Sequence, residues 1–465
     1  MYFYSSILFF SWCVVTHSFQ VNLYDMTWTK SNWKNFTTYQ LPEYSSPQNV
    51  KLIQTQLEQK PPLIFVEEAD RLQLDLIQVS KGHGFVLIAG DCAESMEDSQ
   101  VQTIKDYCKI MLQLGILVTK RTGKKAVKIG RIAGQFAKPR SCEYEQVDGK
   151  RLLTYRGDII NDQSKSRRDP DPSRMLDAYV HSVGTLNLLR AFTKGGFASL
   201  HNIPQWYVKT IDFHLQKQLI SDVMRDFHFW NGLGISVQSN RLLQDTNFFI
   251  GHECLLLPYE ESFTRMDPKS LRYFSCSAHF LWIGERTRKI DSAQIEYIRG
   301  IHNPIGIKIS HMYHEDELET IIKRVNPGNQ VGKLVLMTRF GRKNIKKLNN
   351  LIEWVKEKNF NVIWICDPMH GNTYEKQGYK TRCIRDIQYE IDKFLFYHHR
   401  HQTLPGGIHL EMTPKNVSEV IEHRRDTINP LKYETKCDPR LNGTQSIMVM
   451  NYLLSRIKHY EQKEN

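Results

Sequence analysis

The sequence predicts an α/β fold in which eight parallel strands, each followed by a helix, close into a barrel. Its length of 465 residues suits one large barrel with insertions. From about residue 84 onward, short β-branched runs alternate with amphipathic stretches, as repeated strand–helix units do. Eight of these runs have the composition of buried strands, and eight is the number that a closed barrel needs. They are 84–90, 126–134, 247–251, 280–283, 305–309, 334–337, 362–365 and 408–412.

Helical periodicity separates the strand-like runs in the C-terminal half. Apolar residues recur at i, i+3, i+4 and i+7 from Leu318 and again from Leu348, and a third apolar face begins at Ile384. The run HHRH at 398–401 ends this last helix, where we expect it to face solvent.

The remaining segments fit around this (β/α)₈ TIM barrel, which we assign to residues 84–465. A long stretch at about 142–245 is predicted to be a helical insertion between the second and third strands, because it is too long for one connection. Residues 21–83 are predicted to be an N-terminal extension packed on the barrel.

The first residues carry a mixed targeting signal. An apolar run at 7–15 has the length of a signal-peptide core and is too short to span a bilayer. No Lys or Arg precedes Lys30, so the usual basic start of a signal peptide is missing. We therefore treat 1–20 as a candidate signal or targeting segment and expect no stable membrane span. The compartment stays open between a plastid-type organelle and the cytoplasm. The nine scattered cysteines, without a CxxC pair, are typical of reduced thiols.

Composition and motif content exclude several classes of protein. Charged residues make up 24% of the chain and the mean hydropathy is −0.46, which excludes a multispan membrane protein. There is no P-loop, no strand-to-helix GxGxxG and no GxSxG, so the sequence argues against nucleotide-dependent transfer, Rossmann redox chemistry and α/β-hydrolase chemistry. The formal charge of +12 predicts anionic partners. The basic runs at 120–128 and 342–347 are interpreted as solvated surface, so we expect no nucleic-acid binding.

Polar or titratable side chains stand at the C-terminal end of every predicted strand. In a barrel these ends converge on one face, where such enzymes place their active sites. Polar loops are also common in α/β proteins, so the signal lies in the whole set rather than in one residue. The set is Asp91, Cys92, Arg131, His252, Glu253, Glu285, Arg286, Lys308, Arg339, Asp367, His370, His409 and Glu411.

Four residues of distinctive local setting form a candidate metal site: Cys92, His370, Glu411 and, beyond the last strand, Asp438. One thiolate, one imidazole and two carboxylates suit a borderline divalent ion such as Mn²⁺, Co²⁺, Fe²⁺ or Zn²⁺. For any one of these residues, a buried cysteine or a satisfied core histidine is the more frequent explanation.

A second group on the same face is basic. Six cations beside a metal need anions, and phosphate and carboxylate oxygens are the natural partners of Arg and Lys. These cations are Arg131, Lys138, Arg140, Arg286, Lys308 and Arg339.

Several strings in the chain are specific enough to indicate a family. They include GDCAES at 90–95, RIAGQFAKPRS at 131–141, SAHFLWIGERTR at 277–288, RGIHNPIGIK at 299–308, DPMHGNT at 367–373, PGGIHLE at 405–411 and CDPRLN at 437–442. In these strings and their order, the chain resembles the class II (plant-type) 3-deoxy-D-arabino-heptulosonate 7-phosphate (DAHP) synthases from about Trp28 to the C-terminal helix.

The resemblance implies a metal-dependent (β/α)₈ barrel that condenses phosphoenolpyruvate with D-erythrose 4-phosphate, the first step of the shikimate pathway. It implies one divalent ion, Mn²⁺ first and otherwise Co²⁺, Fe²⁺, Zn²⁺ or Cd²⁺, held by the four residues named above. It also assigns the catalytic roles to Lys308, Glu285 and Arg131. Phosphoenolpyruvate would be bound by Arg131, Glu285, Arg286, Lys308 and Arg339, and the aldose phosphate by Lys138, Arg140 and Ser141.

The resemblance further implies a homo-oligomer, with chorismate mutase as a partner and aromatic amino acids as effectors in some members of the family. Two other functions remain open at this stage: a metal-dependent phosphosugar aldolase and a non-catalytic regulatory paralogue. The chain departs from the family pattern most at 417–423, which reads VSEVIEH and belongs to the loop after Glu411. Cys437 precedes Asp438, and we expect that it can approach Cys92 when metal is absent.

Overall fold

The computed structural model describes residues 28–462 apart from 148, 165 and 236–243. The candidate targeting segment 1–20 lies outside the described residues.

Eight parallel strands form a closed barrel, which confirms the predicted fold class. With strands numbered in chain order, the order around the barrel is β1-β14-β11-β10-β9-β8-β5-β2. Each predicted run gives one barrel strand with ends shifted by a few residues. The strands are β1 (Gly84–Gly90), β2 (Lys125–Arg131), β5 (Phe249–Glu253), β8 (Phe280–Ile283), β9 (Ile305–Ile309), β10 (Leu334–Thr338), β11 (Val362–Cys366) and β14 (Pro405–Glu411).

Further short strands lie in the loops outside the barrel. Two hairpins are formed by β3 (Tyr144–Val147) with β4 (Lys150–Leu153), and by β6 (Thr264–Met266) with β7 (Tyr273–Ser275). A three-stranded sheet over the C-terminal end of the barrel contains β12 (Tyr374–Lys376), β13 (Tyr379–Cys383) and β15 (Val420–Ile421). Because β13 pairs with β15, this sheet joins the loop after β11 to the loop after β14.

Twelve helices surround the barrel in the described part of the chain. None of them is both long enough and apolar enough to span a membrane. They are α1 (Pro47–Glu58), α2 (Val66–Ser80), α3 (Val101–Thr122), α4 (Arg174–Lys194), α5 (Phe213–Gly232), α6 (Leu257–Ser262), α7 (Ala293–Arg299), α8 (Glu315–Val325), α9 (Gly341–Asn344), α10 (Leu348–Glu357), α11 (Ile384–His401) and α12 (Gly443–Glu461).

Helix α2 closes the N-terminal end of the barrel. Leu72, Leu76 and Val79 on its apolar face belong to one buried cluster with the apolar side chains of the barrel interior, including Val86 and Ile129. The interior is therefore filled with hydrocarbon at this end, and the buried charges lie at the opposite, C-terminal end. Between β2 and β5 the chain forms the β3–β4 hairpin, α4 and α5, so the described part of the predicted insertion consists of elements outside the eight barrel strands.

The HHRH run is not wholly solvent-exposed, so the expectation for it was wrong at His398. This side chain is fully buried at the end of α11, with its ring centroid 5.4 Å from that of Trp364 and 4.4 Å from that of Phe394. Its Nδ1 lies 2.7 Å from Thr403 Oγ1. The apolar stripe of α11 continues to His398, and a pattern restricted to aliphatic residues ends too early to show this.

Lys128 is a buried cation outside the active face, and its replacement is expected to stabilise the protein. Its neighbours on β2 point into the barrel, so Lys128 points outward, where its stem lies against Gly115 of α3. Among the described residues its Nζ reaches only Ala126 O, at 3.4 Å. Burial lowers the pKa of Lys128 to about 8, from 10.5. Below about pH 8 the amine is charged in both the folded and the unfolded protein, so the folded protein carries the full desolvation cost. That cost is relieved as the pH rises toward 10.5.

We expect Lys128→Met to increase the free energy of unfolding at pH 7 by about 3 kcal/mol, at about 1.4 kcal/mol per pKa unit over the shift from 10.5 to about 8. Denaturant unfolding at pH 7 and pH 10 measures this, and the gain should shrink at the higher pH. A variant less stable than the parent at pH 7 would contradict the assignment.

Candidate active site

Adjacent strands bring the predicted metal and phosphate residues together at the C-terminal end of the barrel. In the parallel register Gly90 of β1 lies opposite Glu411 of β14 on one side and opposite Arg131 of β2 on the other. Cys92 lies two residues after the end of β1, so three of the predicted residues meet at this point.

Glu411 is the centre of the site. It is fully buried, and its Oε1 lies 3.0 Å from His370 Nε2, 3.1 Å from Lys138 Nζ and 3.2 Å from Arg131 NH2. Its Oε2 lies 2.7 Å from NH1 of Arg382. Burial raises the pKa of this carboxyl, but the charges of His370 in its doubly protonated form, Lys138 and Arg382 outweigh burial and hold the pKa well below its usual value. Glu411 is therefore an ionised carboxylate.

Lys138 joins Glu411 to Asp438, the fourth predicted metal ligand. Its Nζ lies 3.1 Å from Glu411 Oε1 and 3.0 Å from Asp438 Oδ2. Burial lowers the pKa of Lys138, but the two carboxylates outweigh burial and raise it. The pKa of Asp438 is lowered in return, because Lys138 more than offsets its burial. The ammonium compensates a pair of negative charges that would otherwise repel each other.

A second buried carboxylate, Asp367, orients two histidines and a lysine. Its Oδ2 lies 2.7 Å from His370 Nδ1, 3.0 Å from Lys308 Nζ and 3.4 Å from His409 Nδ1. Burial lowers the pKa of Lys308 to about 8, since Arg131 adds repulsion and Asp367 offsets only part of it. Burial also lowers the pKa of both histidines, which are therefore neutral.

The tautomer of His370 shows that this cluster fits a metal ion. A carboxylate can only accept, so Nδ1 of His370 donates its proton to Asp367 and Nε2 carries a lone pair. That lone pair faces Glu411 Oε1 at 3.0 Å, an acceptor against an acceptor. The donor atoms of His370, Glu411 and Asp438 lie within 4.8 Å of one another, so a cation among them would satisfy all three. A carboxylate behind the histidine is the usual support of a metal ligand.

Cys92 lies beside this cluster. It is buried, and its Sγ accepts a hydrogen bond from the backbone N–H of Asp438 at 3.3 Å. Cys437 is the other buried cysteine here, and the two free cysteines belong to one buried cluster. Their side chains therefore lie close together, while their oxidation to a disulfide stays a prediction.

Arg131 connects the proposed metal ligands with the buried residues of the barrel interior. Its Nε and NH2 donate to the carbonyls of Asp91 and Cys92 at 2.8 and 3.0 Å. Its NH1 lies 2.6 Å from His409 Nε2, which must accept and so leaves the proton of His409 on Nδ1. The guanidinium and the ammonium of Lys308 lie 5.3 and 5.9 Å from the ring centroid of Trp282. This buried indole forms an apolar wall that holds two cations in place.

The other predicted phosphate residues lie around the rim. Arg286 NH2 donates to Ser141 Oγ at 2.7 Å, so Arg286 lies with the KPRS run. Arg140 NH1 donates to Cys437 Sγ at 3.4 Å and its NH2 lies 3.3 Å from Glu145. Arg140 and Arg286 therefore form a group of cations at the rim, separate from the buried pair Arg131 and Lys308.

Glu285 and Arg339 complete the predicted set. Glu285 accepts from the N–H and the hydroxyl of Ser310, both at 2.9 Å, and from Arg288 at 2.9 Å. Arg339 is partly exposed, and its buried Nε has no hydrogen-bond partner among the described residues. Glu285 is held by protein donors, whereas the Nε donor of Arg339 has no such partner in the described part of the chain.

Two buried charges in the site escaped sequence reasoning. Arg382, on β13, pairs with Glu411, and Glu94 accepts three backbone N–H groups, from Ala133 at 2.7 Å and from Gly134 and Gln135 at 2.8 Å. Burial raises the pKa of Glu94 to about 7 despite these donors. Glu94 thereby shapes the loop between Arg131 and Lys138. Its place two residues after Cys92 in GDCAES was the available signal.

Comparisons with known proteins agree with this arrangement. The sequence model described as the class-II DAHP synthetase family matches residues 28–454. The chain is 39% identical over 429 residues to the phospho-2-dehydro-3-deoxyheptonate aldolase of Streptomyces coelicolor, covering 90% of this chain and 94% of that protein. It is 38% identical over 417 residues to the phospho-2-dehydro-3-deoxyheptonate aldolase AroG of Mycolicibacterium smegmatis, covering 86% of this chain and 89% of that one.

Proposed function

The chain belongs to the class II DAHP synthetase family, and from this premise we propose that it is an active DAHP synthase. The reaction joins phosphoenolpyruvate, D-erythrose 4-phosphate and one water to give DAHP and inorganic phosphate. The observation that carries the proposal is the cluster of Glu411, His370, Asp438 and Lys138. These side chains contact one another at the C-terminal end of the barrel, where enzymes of this fold have their active sites.

Phosphoenolpyruvate is proposed to bind against Arg131, Lys308 and Arg339. The first two are buried cations over Trp282, and the third has a buried donor without a protein partner. Cations fixed in a site of low dielectric bind phosphate and carboxylate more strongly than the same groups in water. Glu285 would lie beside this ligand and hold the geometry of the loop after β9 through Ser310.

The aldose phosphate is proposed to bind at the KPRS run. Arg140 and Ser141 lie at the rim, where Arg286 of the phosphoenolpyruvate set donates to Ser141 Oγ, and Lys138 lies deeper, beside the carboxylates. Lys138 can therefore contact the sugar while the rim residues hold its phosphate. Two separate groups of cations suit two phosphorylated substrates, whereas a simple phosphosugar aldolase needs only one.

Cys92, His370, Glu411 and Asp438 would hold one divalent ion, which we propose to be Mn²⁺, with Co²⁺, Fe²⁺, Zn²⁺ or Cd²⁺ as alternatives. Such an ion supplies Lewis-acid polarisation of the aldehyde carbonyl. The protein residues position the substrates: they bring C3 of phosphoenolpyruvate to the aldehyde carbon and offset the repulsion between the two phosphates. Water adds at C2, and the C2–O bond to phosphate then breaks. Lys308 Nζ, held 3.0 Å from Asp367, keeps a positive charge beside the phosphate that leaves.

The test is a reaction with both substrates. Purified protein loaded with Mn²⁺ should release one phosphate for each seven-carbon product, as measured by a phosphate assay and by mass spectrometry. No phosphate should be released when erythrose 4-phosphate is omitted. Phosphate release without a seven-carbon product, or no turnover with any of the five metals, would overturn the proposal. Tight binding of both substrates without turnover would instead support a regulatory paralogue.

A further inference from the structure

Glu390 is a buried carboxylate that the proposed mechanism does not use. It lies on α11, outside the barrel, and no part of its side chain is exposed. Its contacts are with the loops that follow β10 and β11 and not with the proposed metal or substrate residues themselves.

Each carboxylate oxygen of Glu390 serves a different loop. Oε1 accepts from the backbone N–H groups of Phe340 and Gly341, both at 2.9 Å. Oε2 accepts from Nδ2 of Asn372 at 2.7 Å. Asn372 in turn accepts, through Oδ1, from the backbone N–H of Arg342 at 2.8 Å. One side chain therefore fastens both loops, and Asn372 ties them to each other.

These loops carry residues of the proposed site. Arg339 directly precedes Phe340, and His370 stands two positions before Asn372. The loops also touch: a Cβ on Gly341 would lie 2.2 Å from the carbonyl oxygen of Gly371, and Gly341 has a φ of +74°. Because the backbones are in contact, a shift of one loop must displace the other.

Every hydrogen-bond partner of Glu390 described above is a donor, so both of its carboxyl oxygens must act as acceptors. All three partners of Glu390 donate, so a proton on the carboxyl would have no acceptor among them. Burial raises the pKa of Glu390 to about 8 even with these donors in place, so burial opposes the carboxylate form that the hydrogen bonds favour. A glutamine could keep the two backbone contacts but would place its NH₂ group against the NH₂ group of Asn372.

We propose that Glu390 is a positioning residue that fixes Arg339 and His370 relative to each other, so that the phosphoenolpyruvate site and the metal site are set by one side chain. The inference rests on the proposed function for the role of Arg339, and on the geometry alone for the link between the two loops.

The test compares Glu390→Gln with Asp392→Asn. Asp392 lies on the same helix but contacts Arg456 Nε at 2.6 Å and Tyr460 on α12, so its variant controls for losing a carboxylate from α11. For Glu390→Gln we expect about a tenfold higher KM for phosphoenolpyruvate at saturating Mn²⁺, and about a tenfold weaker Mn²⁺ affinity by calorimetry without substrates, the range for residues that support metal ligands. Asp392→Asn should leave both values unchanged.

A purely structural role gives a different result. In that case Glu390→Gln would lower the unfolding temperature while KM and Mn²⁺ affinity stayed at the parent values, and the proposal would be wrong. If Glu390→Gln does not fold, Asn372→Ser removes the Oε2 contact of Glu390, together with the contacts of Asn372 to Arg342 and Pro368, and should still weaken Mn²⁺ binding; unchanged binding overturns the proposal. If the parent protein makes no DAHP, the proposed function fails, and the Mn²⁺ comparison still decides the role of Glu390.

Discussion

Glu411→Gln is expected to remove both metal binding and activity. The carboxylate faces His370, Lys138, Arg131 and Arg382, and a neutral amide would leave these groups without their common anion. Residues behind a metal ligand already contribute about 10- to 100-fold to affinity, so we expect a loss of at least about 100-fold in Mn²⁺ affinity and in kcat/KM. Calorimetry with Mn²⁺ and the phosphate assay measure the two quantities. Stability should also fall by about 3 to 5 kcal/mol, the usual effect of breaking a buried ion pair.

Glu296→Gln is the matched control. Glu296 is also a buried carboxylate in an ion-pair network, with Arg299 and Arg324, but it lies on α7 outside the site. This variant should lose stability and keep its Mn²⁺ affinity. If Glu411→Gln bound Mn²⁺ as tightly as the parent, the assignment of the metal site would be wrong.

Lys308→Met is expected to abolish most of the activity without removing the metal ligands. The ammonium lies between Asp367 and the ring of Trp282, where it can stabilise the charge of a departing phosphate. Removing one fixed donor of this kind costs about 10² to 10³ in kcat, and we expect a loss of that size. Steady-state kinetics with both substrates measures it, with Mn²⁺ affinity followed in parallel.

Lys128→Met offers a control with the same substitution at another buried lysine of a barrel strand. Lys128 points away from the barrel interior, so its variant should keep full kcat while gaining stability. Equal losses of kcat in the two variants would mean that the effect at Lys308 is general damage to the barrel.

The fold could be predicted from the sequence because its signals are local. Each barrel strand is a short apolar run, and each run ends in a polar residue, so counting runs gave the barrel and reading their ends gave Cys92, Arg131 and Glu411. His252 shows the limit of this approach. It stands at a strand end, yet its Nε2 lies 2.7 Å from Glu260 in the buried core, because a strand end fixes position but not side-chain direction.

The residues that were missed reach the site from elements other than the barrel strands. Arg382 lies on β13, whose pairing with β15 depends on a loop that departs from the family pattern. Glu390 lies on α11 three residues after Ile387, so a carboxylate on an apolar helix face was the available signal. Such a position predicts burial, but only the fold shows which loop the carboxylate reaches.

The closure of the barrel has a consequence for how the protein folds. The first strand, β1, pairs with the last, β14, so the pairing that closes the barrel joins segments from opposite ends of the catalytic region. Non-local pairings of this kind form slowly. Cys92 and Glu411 lie on the two sides of this seam, and Asp438 follows it in the chain. The site is therefore completed only when the seam closes, and a divalent ion that binds there would hold the two sides of the seam together.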